Sequence, residues 1–229
     1  MILTEREEKK NDRINAGLKE LYDEYTSGFL SVWADAFGET APCRMNEFGI
    51  IDTHRYRAEN GILFIGRETN GWDDSAYEEG CLFRSWLCDI SRNGIQGRGH
   101  ISRHPNMWYN IGRWALLLQS GGTSPDDLAY QKAEAIDALG TIAFTNINKV
   151  RGKNKSGREY RKLADSDIAK ELIRKEAAIM NPKIIVACGT WQEAASALSD
   201  YSGRLICMNH PGARKSPAVM IRELQAQLR

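Results

Sequence analysis

The sequence contains little of what membrane-spanning, secreted or metal-binding proteins require. None of its 229 residues belongs to an apolar run of about 18, the length that a transmembrane helix needs. The five cysteines form no Cys-x-x-Cys pair, which argues against a disulfide framework and against a zinc site. Charged residues begin at the fifth position, so we expect no secretory signal and a cytoplasmic protein.

An excess of charge is also missing. The chain has 31 basic and 30 acidic residues, a formal net charge of +1, which does not indicate a strongly basic nucleic-acid binder. One segment, 149–162, departs from this balance because it contains a single acidic residue among many cations. Its basic residues are Lys149, Arg151, Lys153, Lys155, Arg158, Arg161 and Lys162. This segment is either a solvated loop or a loop that contacts phosphates.

What the sequence does contain is helical periodicity followed by alternating strand and helix patterns. Thr4 and Glu7 match a capping box, and apolar residues then recur at steps of three and four to about residue 37. Four later runs are apolar throughout, as expected for strands buried on both faces of a parallel sheet. They are 62–65, 142–144, 184–187 and 205–208. Thr190 and Glu193 predict a second capping box after the third run.

These patterns predict one α/β domain over residues 1–229, with an N-terminal helical extension at about 4–37. We expect a three-layer α/β/α sandwich around a mainly parallel, four-stranded sheet. The oligomeric state stays open.

Polar residues follow the predicted strands where the strands end. Glu68 follows the first run, Asn146 the second and His210 the fourth, while the third ends at Gly189. Ligands bind at the carboxyl ends of parallel strands, so we expect these side chains to form one site. No phosphate-binding loop, dinucleotide fingerprint or nucleophile elbow is present, and His100 lacks a Cys or acid at ligand spacing. We therefore expect neither a metal nor a cofactor.

The same segments resemble four motifs of the uracil-DNA glycosylase superfamily. Segment 62–71 resembles the first motif, in which an apolar strand ends in glycine, a variable residue and a catalytic Asp or Asn. Segment 145–149 resembles the motif whose asparagine reads the base and whose lysine follows three residues later. Segments 181–189 and 210–212 are similar to the structural strand with its glycine turn and to the His-Pro-Ser motif. The four follow in family order, so the chain resembles that superfamily.

Several positions depart from the family pattern. Glu68 stands where relatives carry Asp or Asn, and Thr69 replaces proline. Gly212 replaces serine, and Arg214 occupies the place of a leucine wedge. The resemblance is therefore to a divergent member.

The resemblance implies a DNA glycosylase that flips uracil or another deaminated base out of DNA for base excision repair. Glu68 would stabilise charge on the sugar or orient water, and a neutral His210 would hydrogen-bond the departing base. The base-binding candidates are Asn146, Phe83, Gly66, Asn70 and Trp72. The candidates for DNA-backbone contact are Lys149, Arg151, Lys153, Lys155, Arg158 and Arg214. The expected partner is damaged or single-stranded DNA, with no membrane contact.

Two other functions remain open at the level of sequence. The replaced acid and proline fit a protein that binds DNA or nucleotides without catalysis. Glu68 also fits the general base of a small-molecule hydrolase. Phe83 has an alternative role as a residue of a helix core.

Overall fold

The computed structural model describes residues 3–69, 83–95, 105–120, 124–152 and 157–228. The helices of these ranges are α1 (Glu5–Phe37), α2 (Phe83–Asn93), α3 (Asn106–Ser120), α4 (Pro125–Tyr130), α5 (Lys132–Ala138), α6 (Arg158–Ala164), α7 (Asp167–Met180), α8 (Trp191–Ala197) and α9 (Pro217–Leu228). The strands are β1 (Gly49–Ile50), β2 (Ile62–Gly66), β3 (Ala143–Asn146), β4 (Ile184–Cys188) and β5 (Arg204–Met208). Short 3-10 turns lie at Ala58–Asn60 and Leu139–Thr141.

The first helix begins where the sequence predicts it. The Thr4 hydroxyl accepts a hydrogen bond from the Glu7 amide, while the Glu7 carboxylate accepts one from the Thr4 amide, so the predicted capping box is confirmed. The helix ends at Gly38, whose φ of 66° lies in the left-handed region that glycine adopts readily. Leu18, Phe29 and Trp33 of α1 are fully buried. The helix is therefore packed into the molecule along its length.

In the described ranges the sheet is five-stranded and mixed, in the order β1-β3-β2-β4-β5. The four predicted runs all form strands and pair in parallel as neighbours, β3 with β2, β2 with β4 and β4 with β5. The prediction of four strands is wrong because β1 pairs antiparallel with β3 at the edge. The Asn15 side chain of α1 both donates to the Ile50 carbonyl and accepts from the Ile50 amide, at 3.0 Å each. The side-chain amide of Asn15 thus provides hydrogen bonds to the backbone of β1. With two residues, β1 is too short to show an apolar pattern in the sequence.

The core lies around the sheet, with helices in two packed groups. All five residues of β2 are buried, as expected for a central strand. In one group α1 packs on α6 and α7, and α8 packs on α7. In the other, α3 contacts α4, α5 and α9, and α2 contacts α5. Among the described residues, no helix combines the length and the apolar character that crossing a bilayer requires.

The predicted capping box at α8 is wrong. Thr190 does precede the helix, but its side chain makes no capping hydrogen bond. The hydroxyl instead donates to the backbone carbonyl of Ile65 in β2, at 2.8 Å, and the residue is fully buried. A tertiary partner has replaced the local one, which ties the start of α8 to the sheet.

Candidate functional site

The carboxyl ends of the parallel strands bring the candidate residues to one edge of the sheet. Gly66 at the end of β2 is the register partner of Asn146 at the end of β3. The two segments remain paired beyond the strands, because the Asn148 amide donates to the Arg67 carbonyl at 2.8 Å. On the other side, the Gly189 amide donates to the Met208 carbonyl at the end of β5 at 2.8 Å. Glu68 therefore follows β2 and lies next in the sheet to Asn146, the last residue of β3, whereas His210 follows β5 and is separated from β2 by β4.

The Asn146 side chain offers an unused hydrogen-bonding group. The residue is 2% exposed, and its amide nitrogen donates to the Thr69 hydroxyl at 3.1 Å. Its oxygen is buried and has no hydrogen-bond partner among the described residues. Exchanging the oxygen and nitrogen positions would only move the vacancy to the nitrogen. An unmade hydrogen bond of a buried polar group costs about 1–3 kcal/mol, so the amide is suited to a ligand that completes it.

Two glycines make room for the polar side chains. A Cβ at Gly66 would lie 2.3 Å from the Asn146 Oδ1. A Cβ at Gly152, in the loop after β3, would lie 2.2 Å from the Glu68 carboxyl carbon. The Gly152 amide donates to the Thr69 carbonyl at 2.8 Å, which fixes this loop beside the end of β2. The site thus depends on close approach of backbone to side chain at both positions.

The charge of the Glu68 carboxylate acts on Tyr160 of α6. The Tyr160 side chain is almost completely buried. Burial is the largest cause that raises the pKa of Tyr160, followed by the charge of Glu193, while Arg67 opposes the shift and Glu68 adds to it. The phenol is therefore neutral at physiological pH, and α6 contributes to the surroundings of the carboxylate.

His210 is positioned as a neutral hydrogen-bond donor. Its Nδ1 accepts a hydrogen bond from the Gly212 amide at 3.1 Å, so the neutral ring carries its proton on Nε2. Partial desolvation and then the positive charge of Arg67 lower the pKa of His210 below the ordinary value. Its backbone rests on Gly189, where a Cβ would lie 3.1 Å from the His210 nitrogen. Gly189 has a φ of 70°, so this turn also needs glycine.

Sequence reasoning missed Arg67. Its Nε donates to the Gly189 carbonyl at 2.9 Å, which links the end of β2 to the turn after β4. Its charge lowers the pKa of His210 and opposes the rise in the pKa of Tyr160. The rule that selected Glu68, a polar residue just after a strand, applies equally to Arg67 and would have found it. The resemblance to the glycosylase motif did not indicate Arg67, because the residue after the glycine is variable in that motif.

The prediction that Lys149 contacts the DNA backbone is wrong. The residue is fully buried, and its ammonium donates to Glu176 at 2.7 Å and to the Thr145 hydroxyl at 2.6 Å. A third hydrogen bond, at 2.6 Å, goes to the Asn146 carbonyl. Tyr22 of α1 donates to the same Glu176 carboxylate. Desolvation lowers the pKa of Lys149, and the Glu176 carboxylate opposes that shift. Because the ammonium is fully buried among these three acceptors, the lysine holds the Asn146 backbone rather than a phosphate.

The structure places Phe83 in the helix core, which corrects its assignment to base stacking. The side chain is 3% exposed. Its ring lies with those of Phe48, Trp86, Trp108 and Phe144 in one aromatic cluster, at centroid distances from 5.1 to 6.0 Å. Buried in this packing, the ring offers little surface on which a base could stack. Phe144 connects the cluster to the site, because its Cζ is 3.0 Å from the position of a Cβ at Gly66.

The remaining backbone-contact candidates differ in their surroundings. Arg151 is half-buried, pairs with Glu39 at 3.6 Å and lies over the Trp33 ring at 5.6 Å. Arg158, at the start of α6, and Arg214, in the turn after β5, are exposed. The other candidates, Asn70, Trp72, Lys153 and Lys155, lie outside the described residues.

Within the described ranges, no three His, Cys, Asp or Glu side chains are grouped closely enough to hold a metal ion. The chain is an α/β protein, and its candidate site at the carboxyl ends of the strands contains the amide of Asn146 and the carboxylate of Glu68. No protein-family model matches the chain, and no curated protein matches it significantly. The likeness to the glycosylase superfamily thus rests on the four sequence motifs.

Proposed function

We propose that the chain is a DNA glycosylase-like hydrolase that cleaves the N-glycosidic bond of uracil or another deaminated base in DNA. The observation that carries the proposal is the half-satisfied amide of Asn146, buried beside Gly66 on the same sheet edge as Glu68 and His210. An amide can pair with a nucleobase edge, since it combines acceptor and donor groups. The proposal includes a three-layer arrangement, with the two helix groups on opposite faces of the sheet, and a cytoplasmic location.

The chemistry follows from where charge develops. As the bond between sugar and base breaks, its electron pair leaves with the base and the sugar becomes positive. The Glu68 carboxylate stabilises that positive charge, and it accepts a proton from the water whose oxygen bonds to the sugar carbon. The His210 Nε2–H donates a hydrogen bond to the departing anion, a contribution of about 3 kcal/mol by the standard of single oxyanion-hole donors.

The electrostatics of His210 suit this role. A protonated ring next to Arg67 would place two cations together, and partial desolvation adds to the cost of that state. The neutral ring keeps the Nε2–H that donates to the departing anion. The hydrogen bond from Gly212 selects the required tautomer.

An excision assay tests the proposal. Single-stranded and duplex oligonucleotides carrying uracil, hypoxanthine or xanthine are incubated with the protein, and the released base is measured. We expect release of at least one base, and we expect Glu68→Gln to reduce turnover while damaged DNA still binds, because the carboxylate acts on charge that appears only in the transition state.

Other outcomes point elsewhere. Binding without release of any base would indicate a DNA- or nucleotide-binding protein without catalysis. Release from free nucleosides alone would indicate a small-molecule hydrolase. Undiminished turnover in Glu68→Gln would remove the carboxylate from the mechanism.

A further inference from the structure

A tryptophan side chain is exposed beside the candidate site. Trp191 is the first residue of α8, two positions after Gly189, and it is 44% exposed. Among the described residues its indole takes part in no ring contact or hydrogen bond. Tyr130, at the end of α4, is 85% exposed. Isolated exposed aromatic residues are ordinary, so exposure alone assigns nothing to Trp191.

The backbone that carries Trp191 is fixed to two strands. The hydroxyl of the preceding Thr190 donates to the Ile65 carbonyl at 2.8 Å, and Thr190 is fully buried. The Gly189 amide donates to Met208 at 2.8 Å, and the Gly189 carbonyl accepts from Arg67 at 2.9 Å. An aromatic ring on such a fixed segment loses little freedom on binding, which favours its use as a contact surface.

A positively charged side chain, that of Arg67, contacts this segment. Arg67 uses its Nε for Gly189, and its two terminal nitrogens have no partner among the described residues. The backbone of His210 also lies close to Gly189. Arg67 and His210 thus both contact Gly189, two residues before Trp191 in the chain. An aromatic surface beside a cation is the combination with which proteins hold unpaired nucleic-acid strands.

Phosphate contacts alone would hold DNA weakly here. The whole chain has a formal net charge of +1, and two of the predicted phosphate contacts have other partners. Lys149 is buried against Glu176, and Arg151 pairs with Glu39. Duplex binding depends mainly on neutralised phosphates. Stacking supplies affinity without added charge, but it requires a base whose face is free.

We propose that Trp191 stacks on an unpaired base next to the one held by Asn146, with Arg67 on the phosphate between them. The protein would then recognise single-stranded DNA in preference to duplex. This inference rests on the proposed function for the placement of the bound base, but stacking itself requires no cleavage.

Fluorescence anisotropy with a labelled oligonucleotide of about 15 nucleotides, near the upper site size of a single-strand-binding module, tests the inference. The wild type should bind the single strand more tightly than the matching duplex. Trp191→Ala should weaken single-strand binding about 5- to 150-fold, the range for loss of one stacked base. Trp191→Phe should retain most of the affinity, and Tyr130→Ala serves as the matched control and should bind as the wild type does.

Tryptophan fluorescence gives a second readout. A base stacked on Trp191 should quench its emission, and the quenching should decrease in Trp191→Phe. Equal single-strand affinity in the wild type and Trp191→Ala, or no single-strand binding by the wild type, would overturn the inference. Binding that depends on Trp191 without release of a base would overturn the proposed glycosylase and leave the stacking contact standing. Release of a base with equal KM in the wild type and Trp191→Ala would support the proposed glycosylase and overturn the stacking contact.

Discussion

The Cα of Gly66 faces the side-chain amide of Asn146 at the ends of two paired strands. A methyl group there would come within 2.3 Å of the amide oxygen and 3.0 Å of the Phe144 ring. Both neighbours are buried, so neither can move into solvent. Whatever the amide binds, its position depends on a residue that has no side chain.

We predict that Gly66→Ala displaces the Asn146 amide and lowers the free energy of unfolding by about 1–3 kcal/mol, the usual cost of overpacking. Oligonucleotide affinity should fall together with stability. Denaturant unfolding and anisotropy measure the two effects. Gly17→Ala is the control: the new methyl group would lie 3.7 Å from Ile179, and alanine should stabilise helix α1 by up to about 1 kcal/mol. Unchanged binding in Gly66→Ala would separate Asn146 from recognition.

The ring of His210 gives a prediction about pH. Its pKa in the folded protein lies below the ordinary value of 6.5, mainly through desolvation and then through Arg67. Base release that needs the neutral ring should therefore persist below pH 6.5 and fall only as the pH drops through the lowered pKa. Between the lowered pKa of the folded state and the ordinary value of about 6.5, the unfolded state binds more protons than the folded state. The contribution of the neutral His210 ring to stability is therefore complete above about pH 6.5 and is lost as the pH falls through the lowered pKa.

NMR titration of the His210 ring checks this prediction. Arg67→Gln should raise the pKa of His210 only in part, because desolvation, the larger cause, remains. A pKa at or above the ordinary value in the wild type would contradict the assignment of a neutral donor. An unchanged pKa in Arg67→Gln would show that the guanidinium charge does not act on the ring.

At the scale of elements, the buried ion pair joins α1, β3, α7 and the loop after β3. Glu176 of α7 accepts hydrogen bonds from Lys149, Thr145 and Tyr22, and all four side chains are buried. Lys149 also donates to the Asn146 backbone. The amide of Asn146 is thus held by an interaction that begins on the first helix.

We predict that Lys149→Met lowers the free energy of unfolding by about 3–5 kcal/mol, because Glu176 is left as an uncompensated buried charge. Adding Glu176→Gln should restore part of the loss, since the neutral amide still accepts from Tyr22. Arg158→Met, at an exposed cation, should change stability by no more than about 0.5 kcal/mol. Urea denaturation compares the three. If Lys149→Met lowered the free energy of unfolding as little as Arg158→Met does, the buried ion pair would not stabilise the protein. The sequence-based assignment of Lys149 to DNA-backbone contact would then be open again.

Local patterns predicted the elements well and their tertiary partners poorly. The four apolar strands and the cap of α1 depend on residues close in sequence, so periodicity and a capping box revealed them. Strand β1 has two residues and depends on the distant amide of Asn15, which no local pattern records. Lys149 was misread for the same reason, because Glu176 lies 27 residues further along the chain. The strand-end rule located the candidate site, but it could not indicate which of its polar side chains are buried.

At the scale of the whole molecule, α1 contacts both the segment before β2 and the loop after β3. Near its start, the Asn11 amide donates to the carbonyls of Thr53 and Tyr56, just before β2. Near its end, Trp33 lies beneath the Arg151 guanidinium in the loop that also approaches Glu68. The N-terminal helix is therefore part of the scaffold of the site.

Salt dependence tests how the whole molecule faces DNA. Arg158 and Arg214 are exposed and have no ion-pair partner among the described residues. Each phosphate contact contributes about 0.7–0.9 to the slope of log affinity against log salt, so replacing both arginines with alanine should flatten the slope by about 1.5. Lys10→Ala with Arg13→Ala, near the start of α1, is the control of equal charge and should leave the slope unchanged. Equal flattening by both pairs would mean that DNA responds to net charge alone, and would remove the carboxyl edge of the sheet as the DNA-binding surface.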